Sequence, residues 1–110
     1  MKKHIFITAL FCFISVTTPA WAANKYLHAS AGTGSWSDAT GTWRTTDQGA
    51  TVAAACTSAD VCYATANAGA RTLTIDGANA ASQLILTGFT GTLESSNAAN
   101  TLTVTTTITI

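Results

Sequence analysis

Residues 71–76 read Arg-Thr-Leu-Thr-Ile-Asp, and residues 101–110 read Thr-Leu-Thr-Val-Thr-Thr-Thr-Ile-Thr-Ile. Polar and apolar side chains alternate in both. A strand turns successive side chains to opposite faces, so this period of two predicts strands and excludes an amphipathic helix. Between them, 83–87 (Gln-Leu-Ile-Leu-Thr) stops at Gly88, and 91–95 (Gly-Thr-Leu-Glu-Ser) opens on a glycine. Gly77 closes the first run. The reading for 72–110 is a series of Thr-rich strand units in an all-β chain. Leu73, Leu84, Leu93 and Leu102 recur at steps of 11, 9 and 9. That spacing suits a meander, a small β-sandwich or the successive short strands of a solenoid. Tight hairpin signals are scarce: Asp76-Gly77 is the only Asp-Gly pair, and Asn-Gly does not occur. A simple meander is therefore the weakest of the three.

Upstream the texture changes. Residues 23–35 open with a short strand candidate around 25–29, followed by a Gly-rich turn. Residues 36–50 carry Trp36 and Trp43 among turn residues. Residues 51–71 are Ala-rich, and 51–59 would form one short helical turn, because Ala is the best helix former. Cys56 and Cys62 lie in this stretch. An even pair of cysteines in a secreted chain implies a disulfide. The metal alternative lacks partners, since His28 is the one His downstream of residue 22 and zinc wants four ligands. The spacing is not Cys-x-x-Cys, which argues against a redox pair.

The expectation of secretion rests on residues 1–22. Lys2, Lys3 and His4 precede an apolar run over 5–16, and Ala20-Trp21-Ala22 places small residues where a signal peptidase reads. A helical signal peptide over 1–22 is expected. The apolar run is too short to span a bilayer, and no membrane span is expected after cleavage. Cys12 follows Phe11, where a lipobox needs a small residue, so a lipoprotein is rejected. The expected location is the periplasm, the cell surface or the medium.

The whole chain has no formal net charge, and only 9% of its residues are charged. Nucleic-acid binding needs a basic patch, so it is excluded as a reading. Beyond residue 22 the charges are Lys25, Arg44 and Arg71 against Asp38, Asp47, Asp60, Asp76 and Glu94. Each Asp sits in or beside a turn, where Asp typically caps backbone groups. Nothing selects a carboxylate pair for glycoside hydrolysis, and Ser30, Ser35 and Ser37 show no triad spacing around His28. Gly32-Thr-Gly-Ser is a turn, not a dinucleotide loop, because the third Gly and the following helix are missing. No catalytic residue, metal site or cofactor is assigned. Trp36 and Trp43 have two readings: anchors packed under strands, or a platform on which sugar rings stack.

The order Tyr26, Gly32-Thr-Gly-Ser-Trp-Ser-Asp38, Trp43, then 59–67 (Ala-Asp-Val-Cys-Tyr-Ala-Thr-Ala-Asn) and Thr72-Leu-Thr-Ile-Asp76 resembles the opening of secreted bacterial β-solenoid surface proteins. Autotransporter passengers and adhesins are of this kind, and some phage fibre proteins look similar. The resemblance implies the first turns of a β-solenoid, with a sandwich as the alternative. It implies a cap over 23–71, holding the Trp pair and the disulfide loop, before the strand units of 72–110. The apolar column would run through Leu73, Ile75, Leu84, Leu86, Phe89, Leu93, Leu102 and Val104. The function implied is structural or adhesive, not enzymatic, with host or surface glycans or proteins as partners. The rival is a carbohydrate-binding module using Trp36 and Trp43. The last residues, Thr-Ile-Thr-Ile, form an unblunted apolar strand. This predicts a truncated or longer solenoid chain and self-association through that strand.

Overall fold

A computed structural model describes residues 22–30 and 32–110. Of the signal helix expected over 1–22, residues 1–21 lie outside the described residues. The described chain is built from strands, with a single 3-10 turn at Ala66–Ala68. The strands are β1 (Asn24–Leu27), β2 (Trp43–Arg44), β3 (Val52–Ala53), β4 (Val61–Tyr63), β5 (Thr72–Ile75), β6 (Ala78–Ile85), β7 (Thr92–Ser95) and β8 (Thr101–Thr109). The all-β expectation therefore holds. The helical turn expected at 51–59 does not form. There the chain is extended at β3 and then turns at Thr57, whose carbonyl accepts from the Asp60 N–H at 2.9 Å. Without a large apolar stripe, Ala propensity alone cannot hold a helix against tertiary pairing.

Two sheets result. One has the order β3-β2-β1-β4-β6-β8, and the other pairs β5 with β7. The first three strands of the large sheet are antiparallel, with Tyr26 opposite Arg44 and Trp43 opposite Ala53. From β1 onward the neighbours are parallel: β1 beside β4, β4 beside β6, β6 beside β8. The small sheet is also parallel, with Leu73 beside Leu93. Chain order alternates between the sheets: β4, β6 and β8 belong to the large one, β5 and β7 to the small one. Each crossing happens at a polar or Gly-containing turn, such as Asp76-Gly77, where the Asp76 N–H donates to Asn79 Oδ1 at 3.0 Å.

Register decides which side chains meet. Trp43 and Leu27 are cross-strand partners, and Cys62 lies beside Leu84. All four are buried, and Leu73 and Ile75 of the small sheet join the same core. Leu86, Phe89, Leu102 and Val104 pack against it only partly buried. Leu93, expected in the apolar column, is 39% exposed and stands outside this buried cluster. The pairing of β6 with β8 shifts once, between Ala81 and Gln83. Leu84 can thus face inward although it lies an odd number of residues beyond inward Ala81.

Candidate functional site

The chemistry-bearing residues gather at the β1–β4 end. Trp36 sits in a turn that the small sheet holds in place. Its N–H donates to the Thr74 carbonyl at 2.8 Å, and the Thr74 N–H donates to the Gly34 carbonyl at 2.9 Å. Gly34 has φ +86, and a Cβ there would stand 2.7 Å from the Thr72 carbonyl, so only glycine fits this approach. Trp43 is placed by β2. The two rings meet edge to face with centroids 5.1 Å apart. The Trp43 indole N–H donates to the Trp36 carbonyl at 2.8 Å, and that of Trp36 to the Cys56 carbonyl at 3.0 Å. Both side chains are fully buried. A sugar platform needs an exposed ring face, and neither indole offers one. These two residues act as packing anchors with satisfied N–H groups.

Cys56 and Cys62 form a disulfide, with Cα atoms 6.2 Å apart. The bond ties the segment after β3 to β4, and the Trp36 hydrogen bond to Cys56 fastens it to the aromatic pair. Disulfides persist in oxidising compartments, so the bond points away from a reducing cytosol.

Lys25 and Asp60 form an ion pair of 2.8 Å beside this loop, with side chains 12% and 5% exposed. Asp60 also accepts from the Thr57 N–H and hydroxyl, each at 2.8 Å, and from the Ala23 N–H at 3.2 Å. Burial raises its pKa, but the hydrogen bonds from Lys25 and Thr57 outweigh that and hold it below the usual carboxylate value. Asp38 is held far lower, first by the Thr40 hydroxyl and then by the Thr33 and Thr40 N–H groups. Asp47 accepts from Gln48, Thr65 and Asn67 side chains. Burial opposes these bonds there too, and the net shift is downward. Asp76 accepts from the Ser37 N–H at 3.2 Å and from its hydroxyl. These four carboxylates fasten turns, as their sequence positions imply. Among the described residues, no three His, Cys, Asp or Glu side chains group as metal ligands.

Two features had no clear sequence signal. Tyr26 and Tyr63 stack with centroids 4.7 Å apart and planes 12° from parallel. They are 37 residues apart in sequence, and only the parallel β1–β4 register makes them neighbours. Arg44, opposite Tyr26, is buried, and its Nε and Nη1 atoms have no hydrogen-bond partner among the described residues. Arg44, Tyr26 and Tyr63 thus share the sheet face opposite the core. Alternation from Trp43 would have put Arg44 on that face but would not have predicted its burial.

His28 is held below its ordinary pKa, first by burial and then by the positive charges of Arg44 and Arg71. Arg71 donates to the His28 and Gly32 carbonyls, at 2.8 Å each, and so clamps the loop after β1. No family model, curated protein or solved structure matches the chain.

Proposed function

We propose that the chain is a non-catalytic, exported structural segment, built as the first coils of a β-solenoid and presenting its outer faces at a cell surface, as adhesin and autotransporter passengers do. The supporting observation is the alternation of parallel strands between two sheets. Val61 lies beside Gln83, Thr72 beside Thr92 and Ala78 beside Thr101. The chain thus returns to its own side after roughly twenty residues, within the range of stacked repeats. The buried Trp pair and disulfide serve as the cap that such a column needs at its end. The carboxylates are engaged in turns, which leaves the outer faces, not a reaction centre, as the functional surface. Its partners are glycans or proteins of a surface.

Fractionation of cells producing the full chain tests this reading. A leader-free, disulfide-bonded chain outside the cytosol is expected. A full-length chain in the cytosol with free thiols rejects it. The coil geometry is tested separately by nuclear Overhauser contacts between the Cys62, Leu84 and Ile108 backbones, which a sandwich of antiparallel hairpins lacks.

One observation favours the second reading, a secreted carbohydrate-binding module. The Tyr26–Tyr63 stack is only partly buried and sits beside Arg44. Glycan binding that is lost in Tyr63→Ala, with the fold retained, would select it.

A further inference from the structure

We propose that leader removal gives Asp60 a second cation: the α-ammonium of Ala23, freed by cleavage after Ala22, pairs with Asp60 Oδ1 and locks the new N-terminus to the disulfide loop. The cleavage rests on the export reading; the pairing rests on the fold.

Register brings the two residues together. Parallel pairing of β1 with β4 sets Asn24 beside Val61, and Ala23 and Asp60 are the residues just ahead of that pair. The Val61 N–H donates to the Ala23 carbonyl at 2.9 Å, which fixes residue 23 at the start of β1. The Ala23 nitrogen lies 3.2 Å from Asp60 Oδ1, across 37 residues of sequence. Asp60 is held from several sides. Its Oδ2 takes Lys25 Nζ and the Thr57 N–H and hydroxyl, each at 2.8 Å. Its N–H donates to the Thr57 carbonyl, and its C=O accepts from the Ser82 N–H, both at 2.9 Å. It also stands inside the loop that Cys56 and Cys62 close. Among the described residues, only the Ala23 N–H donates to Oδ1.

In the uncleaved chain that nitrogen is an amide, with one N–H and no charge. Ala20 and Ala22 are the small residues that a signal peptidase reads, which puts the scissile bond between Ala22 and Ala23. Both flanking residues are exposed. In hydrolysis, water adds across this amide. Its oxygen ends on Ala22, whose carboxylate leaves with the leader, and the nitrogen stays on Ala23 as an amine. An α-amine has an ordinary pKa of about 8 and takes up a proton at neutral pH. A neutral hydrogen bond thereby becomes a charge-assisted one, roughly twice as strong. Lys25 keeps Oδ2 and the ammonium takes Oδ1, so the two cations do not compete for one oxygen. Lys25 is the one charged side chain that acts on Asp60, and it faces the amine as a like charge. The cap is thus tightest only in the processed chain.

The test uses protein exported by cells that produce the full chain. N-terminal sequencing should start at Ala23. One Gly inserted between residues 22 and 23 moves the amine outward and returns the Ala23 nitrogen to an amide. Its unfolding constant at pH 7 should be about tenfold larger than that of the wild type. In the Asp60→Asn background the same insertion should cost little. The contribution is complete below the unfolded amine pKa and is lost as pH rises through the folded one, so the two chains should converge in alkali. If Asp60→Asn does not fold, an NMR titration of the wild-type amine decides: it should titrate higher in the folded chain than in urea. An amine that titrates as in urea overturns the proposal. So does an insertion that costs the same with and without Asp60, or a processed chain whose first residue is not Ala23. An intact leader overturns the export reading and this pairing together. A chain that starts at Ala23 without the coupling overturns the pairing alone.

Discussion

The indole N–H of Trp43 donates to the backbone carbonyl of Trp36 at 2.8 Å, while the two rings pack edge to face. This single contact joins β2 to the turn that the small sheet holds through Thr74. Trp43→Ala removes a fully buried ring and leaves the Trp36 carbonyl without its donor. A loss of about 3–5 kcal/mol is expected. Trp43→Phe keeps most of the packing and loses the bond, so it should cost clearly less. Urea unfolding followed by circular dichroism separates the two. If Trp43→Ala unfolds at the wild-type urea concentration, the anchor role is wrong.

The disulfide closes a short loop, with a sequence separation of 6. In the chain-entropy description, such a loop stabilises by roughly 2 kcal/mol. Cys56→Ser/Cys62→Ser should lower the unfolding free energy by about that amount and leave the strands intact. The cost should be similar when the wild-type chain is unfolded in reductant. Thiol labelling of the native protein without reductant should modify neither residue.

Lys25 and Asp60 are more revealing of how the cap is closed. Their pair is nearly shut off from water, and Lys25 Nζ also donates to the Ala55 carbonyl at 2.8 Å. Lys25→Met leaves Asp60 buried without its cation and should cost about 3 kcal/mol. The double variant Lys25→Met/Asp60→Asn removes both charges and should recover part of that loss. A double-mutant cycle reads the coupling; additive losses would mean that the two charges do not depend on each other.

What the sequence makes legible follows from locality. The runs at 71–76 and 91–95 become β5 and β7 because alternation with β-branched residues is a local signal. The runs at 101–105 and 107–110 join into one strand, β8, in which Thr105 and Thr106 together stand opposite Ser82 of β6. Strand β6 starts at Ala78, ahead of the expected 83–87, because parallel pairing with β8 recruits Ala and Asn that carry no strand signal of their own. The disulfide was legible from cysteine parity alone. The alternatives open for Trp36 and Trp43 were not resolvable, because burial depends on Thr74, far along the chain. The Tyr26–Tyr63 stack was hidden for the same reason.

The acid stability of the fold follows from Asp38, Asp47 and Asp60, all held below the ordinary carboxylate pKa. A carboxylate with a depressed folded pKa adds stability that is complete above its unfolded value, about 3.9, and is lost as pH falls through the folded value. The unfolding midpoint should therefore be flat from neutral pH to about pH 5 as far as these groups are concerned, then fall steadily below about pH 4. His28, with a lowered pKa, contributes in the same direction nearer its ordinary value, because the unfolded chain takes up that proton first. Asp38 accepts from Thr33, Thr40 and Thr42, so Asp38→Asn should flatten the acid limb and lower stability at pH 7. A glutamine at His28 should remove the shallow slope near pH 6 and leave the acid limb unchanged. Denaturant midpoints between pH 2 and pH 8 decide this. An acid limb of the same steepness in wild type and Asp38→Asn would show that the Asp38 turn does not govern it.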